Sequence, residues 1–291
     1  MPIALLVALA ARVPLMTAAA TATSAPAPLP PPVALAAPAT QPPRFAPKPP
    51  ARSALPAPPA LARSEKTRYR VAFGGLDVGE LSLAIGGAAP GATIVHAAGQ
   101  GAGSVLGLGR YENQLDSDFD LARLDSRRWV NSRRWANEAL RDRGEQATPG
   151  DVRGSREPLD AGKPAVPMQA RLAAPLLDPL GFILRLRAAL PAARARAETL
   201  YVLDGQAYWR VTVTNEGRSP LPEGHVQVAT IKLRVEADPI RFDGTPDTRG
   251  DRHHRSIAIW MSDDEARVPV RLSVSLGLGD VVASLAEIER S

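Results

Sequence analysis

The sequence predicts a mainly β protein: an antiparallel curved sheet, or half-open β-barrel, carrying one amphipathic helix and preceded by a Pro/Ala-rich disordered segment. Three observations carry that expectation. Apolar residues alternate with polar ones over most of the chain after Thr67, the period of strands with one buried face. A single stretch near Asp178 changes to helical spacing. Glycine and acidic turns separate the alternating runs.

The alternation opens at Tyr69-Arg70-Val71-Ala72-Phe73, turns at Gly74-Gly75 and resumes with Leu81, Leu83 and Ile85. Thr93 to Ala98 follows. Leu115, Ser117 and Phe119 then face one way and Asp116, Asp118 and Asp120 the other. Trp129 and Trp135 lie in long arginine-rich strands, and Glu145 to Val166 reads as a polar loop or short hairpin. The helix has Asp178 as N-cap and Pro179 at its first position, with Leu180, Ile183, Leu184 and Leu190 as its stripe, until Pro191 stops it. Strands return at Leu200–Leu203, at Ala207–Thr214 and in a run ending at Glu236. The last forty residues give three more: Ile257, Ile259 and Met261 on one face, an acidic turn, then Val268, Val270, Leu272, Val274 and Leu276 on one face, then a glycine turn.

The first 66 residues are organised differently. Ile3 to Ala11 is apolar and ends in small residues up to Ala25, which reads as a signal peptide or a membrane anchor over residues 1–25. Arg12 and Pro14 would burden an anchor, and cleavage or retention stays open. From Pro26 to Pro59 the chain holds roughly half of its 29 prolines among alanines, with Phe45 its one aromatic. Proline lacks the N–H that helix and sheet need, so residues 26–66 read as an extended linker, with one β-rich domain over 67–291. Export to the periplasm or cell envelope, close to a membrane, is the expectation.

There is no cysteine, which excludes disulfides, thiolate metal sites and lipidation of an N-terminal cysteine. The net charge of +5 is nearly all arginine, without the continuous basic stripe and aromatic platforms that nucleic acid requires. No nucleic-acid partner and no cofactor are expected.

Four constellations merit weighing. Asp263-Asp264-Glu265 has the carboxylates for acid–base or hard-metal chemistry, yet a hairpin corner needs the same residues, and the turn reading is preferred. Adjacent His253 and His254 point to opposite sides if they lie in a strand, which argues against zinc. Asp116, Asp118 and Asp120 lack the tight glycine loop of a calcium site. Trp129, Arg133 and Trp135 are interaction candidates, as a headgroup platform or as tryptophans packed on the sheet beneath arginine stems. No Gly-rich phosphate loop and no G-x-S-x-G elbow is present, so the chain is read as a non-enzyme.

Several motifs resemble one bacterial family, domain of unknown function 3108. They are Tyr69-x-Val71-x-Phe73 with Gly79, Gly103 to Leu106 with Tyr111, and Asp178-Pro179-Leu180 with Leu186-Arg187. The closing block is the most specific: Ile259-Trp260-Met261-Ser262-Asp263-Asp264, Val268-Pro269-Val270-Arg271, Gly279 and Ala283-Ser284-Leu285. Leucine is usual where Met261 stands. The resemblance implies an envelope protein of Gram-negative bacteria whose half-barrel is similar to Lol-type lipoprotein carriers, with no established catalytic residues. Together with the apolar strand faces, it gives the first functional expectation. An apolar ligand, a lipid or a lipidated segment, would lie on the concave face against Val71, Phe73, Leu83, Phe119, Ile231, Leu233, Ile259 and Val270. The alternative is a structural or interaction protein of the envelope, contacting another envelope protein. Oligomeric state is left open.

Overall fold

The computed structural model describes residues 61, 64–86, 93–105, 109–135, 138–160, 163–191, 197–204, 207–221, 229–248, 253–276 and 279–291. The signal or anchor expected over residues 1–25, and nearly all of the linker expected over 26–66, lie outside the described residues.

In chain order the strands are β1 (Glu65–Phe73), β2 (Leu76–Ile85), β3 (Ile94–Val105), β4 (Gly109–Asp120), β5 (Asp125–Trp135), β6 (Glu138–Thr148), β7 (Asp151–Pro158), β8 (Val166–Arg171) and β9 (Leu176–Leu177). The helix α1 (Pro179–Ala188) follows, and then β10 (Glu198–Asp204), β11 (Ala207–Arg218), β12 (Thr230–Ile240), β13 (Arg255–Ser262), β14 (Pro269–Leu276) and β15 (Gly279–Arg290). They form one sheet in the order β8-β7-β6-β5-β4-β3-β2-β1-β15-β14-β13-β12-β11-β10-β9, open rather than closed into a barrel. Every pairing is antiparallel except β9 with β10. The β1–β2 turn shows why two glycines stand together: Gly74 and Gly75 have φ of 57° and 87°, which a side chain would disfavour. Glu145 to Val166, read as a loop or short hairpin, contains the β6–β7 hairpin, which turns at residues 149–150. Its inward positions include Gln146, Val152 and Gly154, and only Val152 among these carries an apolar core side chain.

The sheet curls around α1. Leu180, Phe182, Ile183, Leu184 and Leu186 are each at most 1 % exposed, so burial goes beyond the single stripe and leaves Arg185 and Ala188 half-exposed. Two anchors hold the helix. At its start Asp178 accepts from the N–H of Leu180 (2.8 Å) and Gly181 (3.2 Å) and from Ser117 Oγ (2.5 Å), while its own N–H donates to Ser126 Oγ (2.9 Å). The cap is therefore also a tie to β4 and β5. At its end the guanidinium of Arg187 grips Glu65 of β1 at 2.8 and 3.2 Å.

A buried glutamine closes the curl on one side. Gln146 Nε2 donates to the carbonyls of Ser126 (3.1 Å) and Leu176 (3.3 Å), and its Oε1 accepts from the N–H of Leu176 (2.8 Å) and Gly150 (2.9 Å). It does for β9 what a strand partner would otherwise do, using both ends of the amide.

Gly181 tests how closely helix and sheet approach. A β-carbon there would overlap Ser126 Oγ. In an unconstrained helix Gly→Ala gains about 1 kcal/mol. Here Gly181→Ala is expected to destabilise by about 1–3 kcal/mol through overpacking. Thermal melting of the variant gives the sign, and a raised Tm would contradict this packing.

Candidate functional site

The concave side was the first candidate. Val71, Phe119, Leu233 and Ile259 are fully buried and Leu83 nearly so, all in one core with α1. Phe73 and Ile231 are half-buried and pack against it. Val270 departs from the expected alternation. Trp260 pairs with Arg271 and Met261 with Pro269, so Val270 sits in a bulge, half-buried and outside the core cluster, while Pro269 turns inward. Between Phe182 and the strands bearing Val202, Trp209, Val211, Val235 and Ile257 there remains an apolar cleft of about 10 Å³. That is room for about one water molecule.

The acidic turn builds structure. Asp264 Oδ1 accepts from Ser262 Oγ (2.6 Å) and from the N–H of Ala266 and Arg267 (both 3.1 Å), and Ser262 Oγ accepts from the N–H of Val268 (2.8 Å). Arg267 is held at a φ of 47°. The turn thereby presents the Ala266 carbonyl to Arg187 Nε at 3.1 Å, and Arg267 reaches back to the Arg187 carbonyl at 3.3 Å. Asp263 accepts from Arg218 Nε at 2.6 Å. Burial alone would raise the Asp264 pKa, but these hydrogen bonds and the charge of Arg290 outweigh it and hold the carboxyl below its ordinary value. Among the described residues no group of three His, Cys, Asp or Glu side chains is arranged to hold a metal ion. His254 spends its ring nitrogens on Asp238 (2.9 Å) and Glu236 (2.8 Å).

Trp260 lies opposite the core, 7 % exposed, with Lys232 and Arg271 at 5.7 and 5.9 Å from its ring. Register puts the three side by side on β12, β13 and β14. The interaction candidates of β5 face inward instead. Trp129 is buried over Gly144, where a β-carbon would overlap its ring. Trp135 packs edge-on against Tyr111, ring centroids 5.2 Å apart. Arg133 donates to the buried carboxylate of Asp142 at 2.6 Å, whose other oxygen takes Arg156 at 2.7 Å. These side chains line the inner wall rather than an outward platform.

A wide concavity lies on the other face of the sheet. A groove of about 660 Å³ crosses β1 to β5, lined among others by Lys66, Arg68, Glu80, Ser82, Gln100, Glu112, Gln114, Ser132, Arg133, Arg134 and Leu159. Register produces its floor: Arg68 is opposite Ser82, Ser82 opposite Gln100, Gln100 opposite Gln114, and Gln114 opposite Ser132. One rung of hydroxyl, amide, amide and hydroxyl thus runs across four strands. Sequence reading missed it, because each of these residues alone looks like an ordinary polar position of an alternating strand. Only the pairing register aligns them.

An open antiparallel sheet wrapped around its own helix, with a polar groove on the outside, defines a half-barrel class. The chain belongs to the family described as "Protein of unknown function (DUF3108)", which its residues 68–286 match. It shares its fold with a β-barrel-like protein of domain of unknown function DUF1849 from Brucella abortus, at a TM-score of 0.52 and 10 % identity, over 79 % of this chain and 98 % of that one. The lipoprotein LppX of Mycobacterium tuberculosis aligns over 78 % of this chain and 85 % of that one, with 13 % identity and a TM-score of 0.22, too low to support an inference. No curated protein sequence matches.

The turn chemistry makes a pH-dependent prediction. A carboxyl whose folded pKa is depressed adds stability above its unfolded value, about 3.9, and loses it as pH falls. Asparagine keeps an acceptor oxygen but no charge. The Asp263→Asn/Asp264→Asn protein should therefore fold and melt about 2–4 °C lower at neutral pH, for a loss of about 1 kcal/mol. The gap from wild type should close below about pH 4. Melting curves across that range check it, and a gap that widens in acid would refute the turn's role.

Proposed function

We propose that the chain is a non-enzymatic interaction module of the cell envelope, exported and tethered by its Pro/Ala segment, and that it works through its outer surface rather than by carrying a lipid in its concave side. One observation supports this above the rest: the concave side is filled by the protein's own helix, leaving an apolar cleft of about 10 Å³. Emptying that space for an acyl chain means withdrawing Leu180, Phe182, Ile183, Leu184 and Leu186 from the core. At about 1.5–3 kcal/mol for each large side chain the cost is on the order of 10 kcal/mol, comparable with the whole stability of a domain. An acyl chain arriving from a membrane is already out of water and returns little of it. The non-enzyme reading is supported by the acidic turn, where Asp264 is committed to backbone amides and Ser262 and Asp263 to Arg218.

Mass spectrometry of lipids extracted from the purified full chain tests the reading. No lipid approaching one per chain is expected. A stoichiometric acyl lipid would restore the carrier function on the concave face.

A further inference from the structure

We propose that the outer groove binds a linear, uncharged polysaccharide lying across the strands, with Ser82, Gln100, Gln114 and Ser132 as its floor. This rests on the interaction-module reading by naming a ligand class for the outer surface. The two fail separately, because a bound lipid would refill the concave face and leave the groove untouched.

The groove's position limits how it can recognise anything. It lies over β1 to β5, all interior strands, whose backbone N–H and C=O groups are already committed to neighbours on both sides. A peptide cannot add itself as a further strand there, so recognition falls to side chains. Those on the floor are neutral and carry both donors and acceptors, the chemistry that matches sugar hydroxyls. Among the described residues, Gln100 and Gln114 carry no side-chain hydrogen bond and both are exposed, so these two amides engage a ligand without breaking an internal bond, while Ser132 Oγ accepts from Arg141 Nε at 3.3 Å and keeps its own O–H to donate.

Spacing favours a glycan over a peptide. The rung repeats at the strand separation, about 4.8 Å, whereas same-side groups of an extended peptide recur at about 6.6–6.8 Å. A pyranose chain advances per sugar by a step close to the strand separation. Arg68 and Arg133 also line the groove but are paired with Glu287 and Asp142, so the remaining charges of the lining, Lys66 and Arg134 against Glu80 and Glu112, balance, which argues against a polyanion. Nucleic acid would also want aromatic platforms, and none of the described residues lining the groove is aromatic.

Isothermal titration of the full chain with chitohexaose and cellohexaose, with heparin as a polyanionic comparison, tests the proposal. Saturable binding of at least one hexasaccharide is expected. Gln100→Ala/Gln114→Ala should weaken it about thirtyfold, the loss of two net hydrogen bonds, with Tm nearly unchanged because both residues are exposed. Ser82→Arg, which fills the floor from another strand, should weaken it as well and guards against a misfolded double variant. No saturable binding of either sugar, binding indifferent to these substitutions, or a preference for heparin would each overturn the proposal.

Discussion

The bidentate pair between Arg187 and Glu65 is the constraint on which the rest of the structure depends. Arg187 ends the helix and Glu65 begins β1, and their side chains are only 2 % and 5 % exposed. A buried ion pair adds little net stability over an apolar replacement, but losing one partner leaves a stranded charge at a cost of about 3–5 kcal/mol. Its value here is positional. Arg290 of β15 also donates to Glu65 at 3.2 Å, and the Ala266 carbonyl of the acidic turn caps Arg187 Nε at 3.1 Å. Helix, first strand, last strand and acidic turn thus meet at two side chains. The Asp178 cap does the corresponding work at the other end of the helix. With both ends fixed, the helix becomes part of the core rather than a lid over it.

That arrangement accounts for several family motifs without any chemistry. Asp178-Pro179-Leu180 is cap, first turn and first core contact; Leu186-Arg187 is last core contact and anchor. Ser262 and Asp264 shape the turn that presents a carbonyl to the anchor. Trp260 covers the opposite side of the same strand beneath Lys232 and Arg271. The most specific block of the sequence is therefore a folding device, and the groove lies elsewhere, over β1 to β5.

The legible part of this fold was its periodicity. Ile257, Ile259 and Met261 alternate cleanly because β13 has one apolar face. Asp178-Pro179 announced the helix because a capping carboxylate and an N-terminal proline have direct backbone reasons. What stayed hidden depended on partners far away in sequence. Glu65 looked like the end of a linker, since nothing local tells of Arg187 more than a hundred positions later. Val270 was assigned to the core face because a bulge, set by the register of β13 against β14, leaves no trace in an alternating run. From Glu145 to Val166 a hairpin was legible only as one of two alternatives, because Gln146 and Gly154 face inward where apolar residues are usual. The groove floor was invisible for the same reason, as a property of pairing rather than of any one strand.

The proposed use of the outer surface rests on the inner one being occupied, and that depends on the helix being as permanent as the sheet. Native-state hydrogen exchange of the amides in α1 measures this most directly. Amides at the open end of a lid exchange through local opening, whereas those of a core element exchange only with global unfolding. The amides of Ile183 to Arg187 are predicted to match the protection of β1 and β15. Exchange of the helix several kcal/mol easier than that of those strands would mean that it leaves its seat, and would contradict a filled, non-carrier half-barrel.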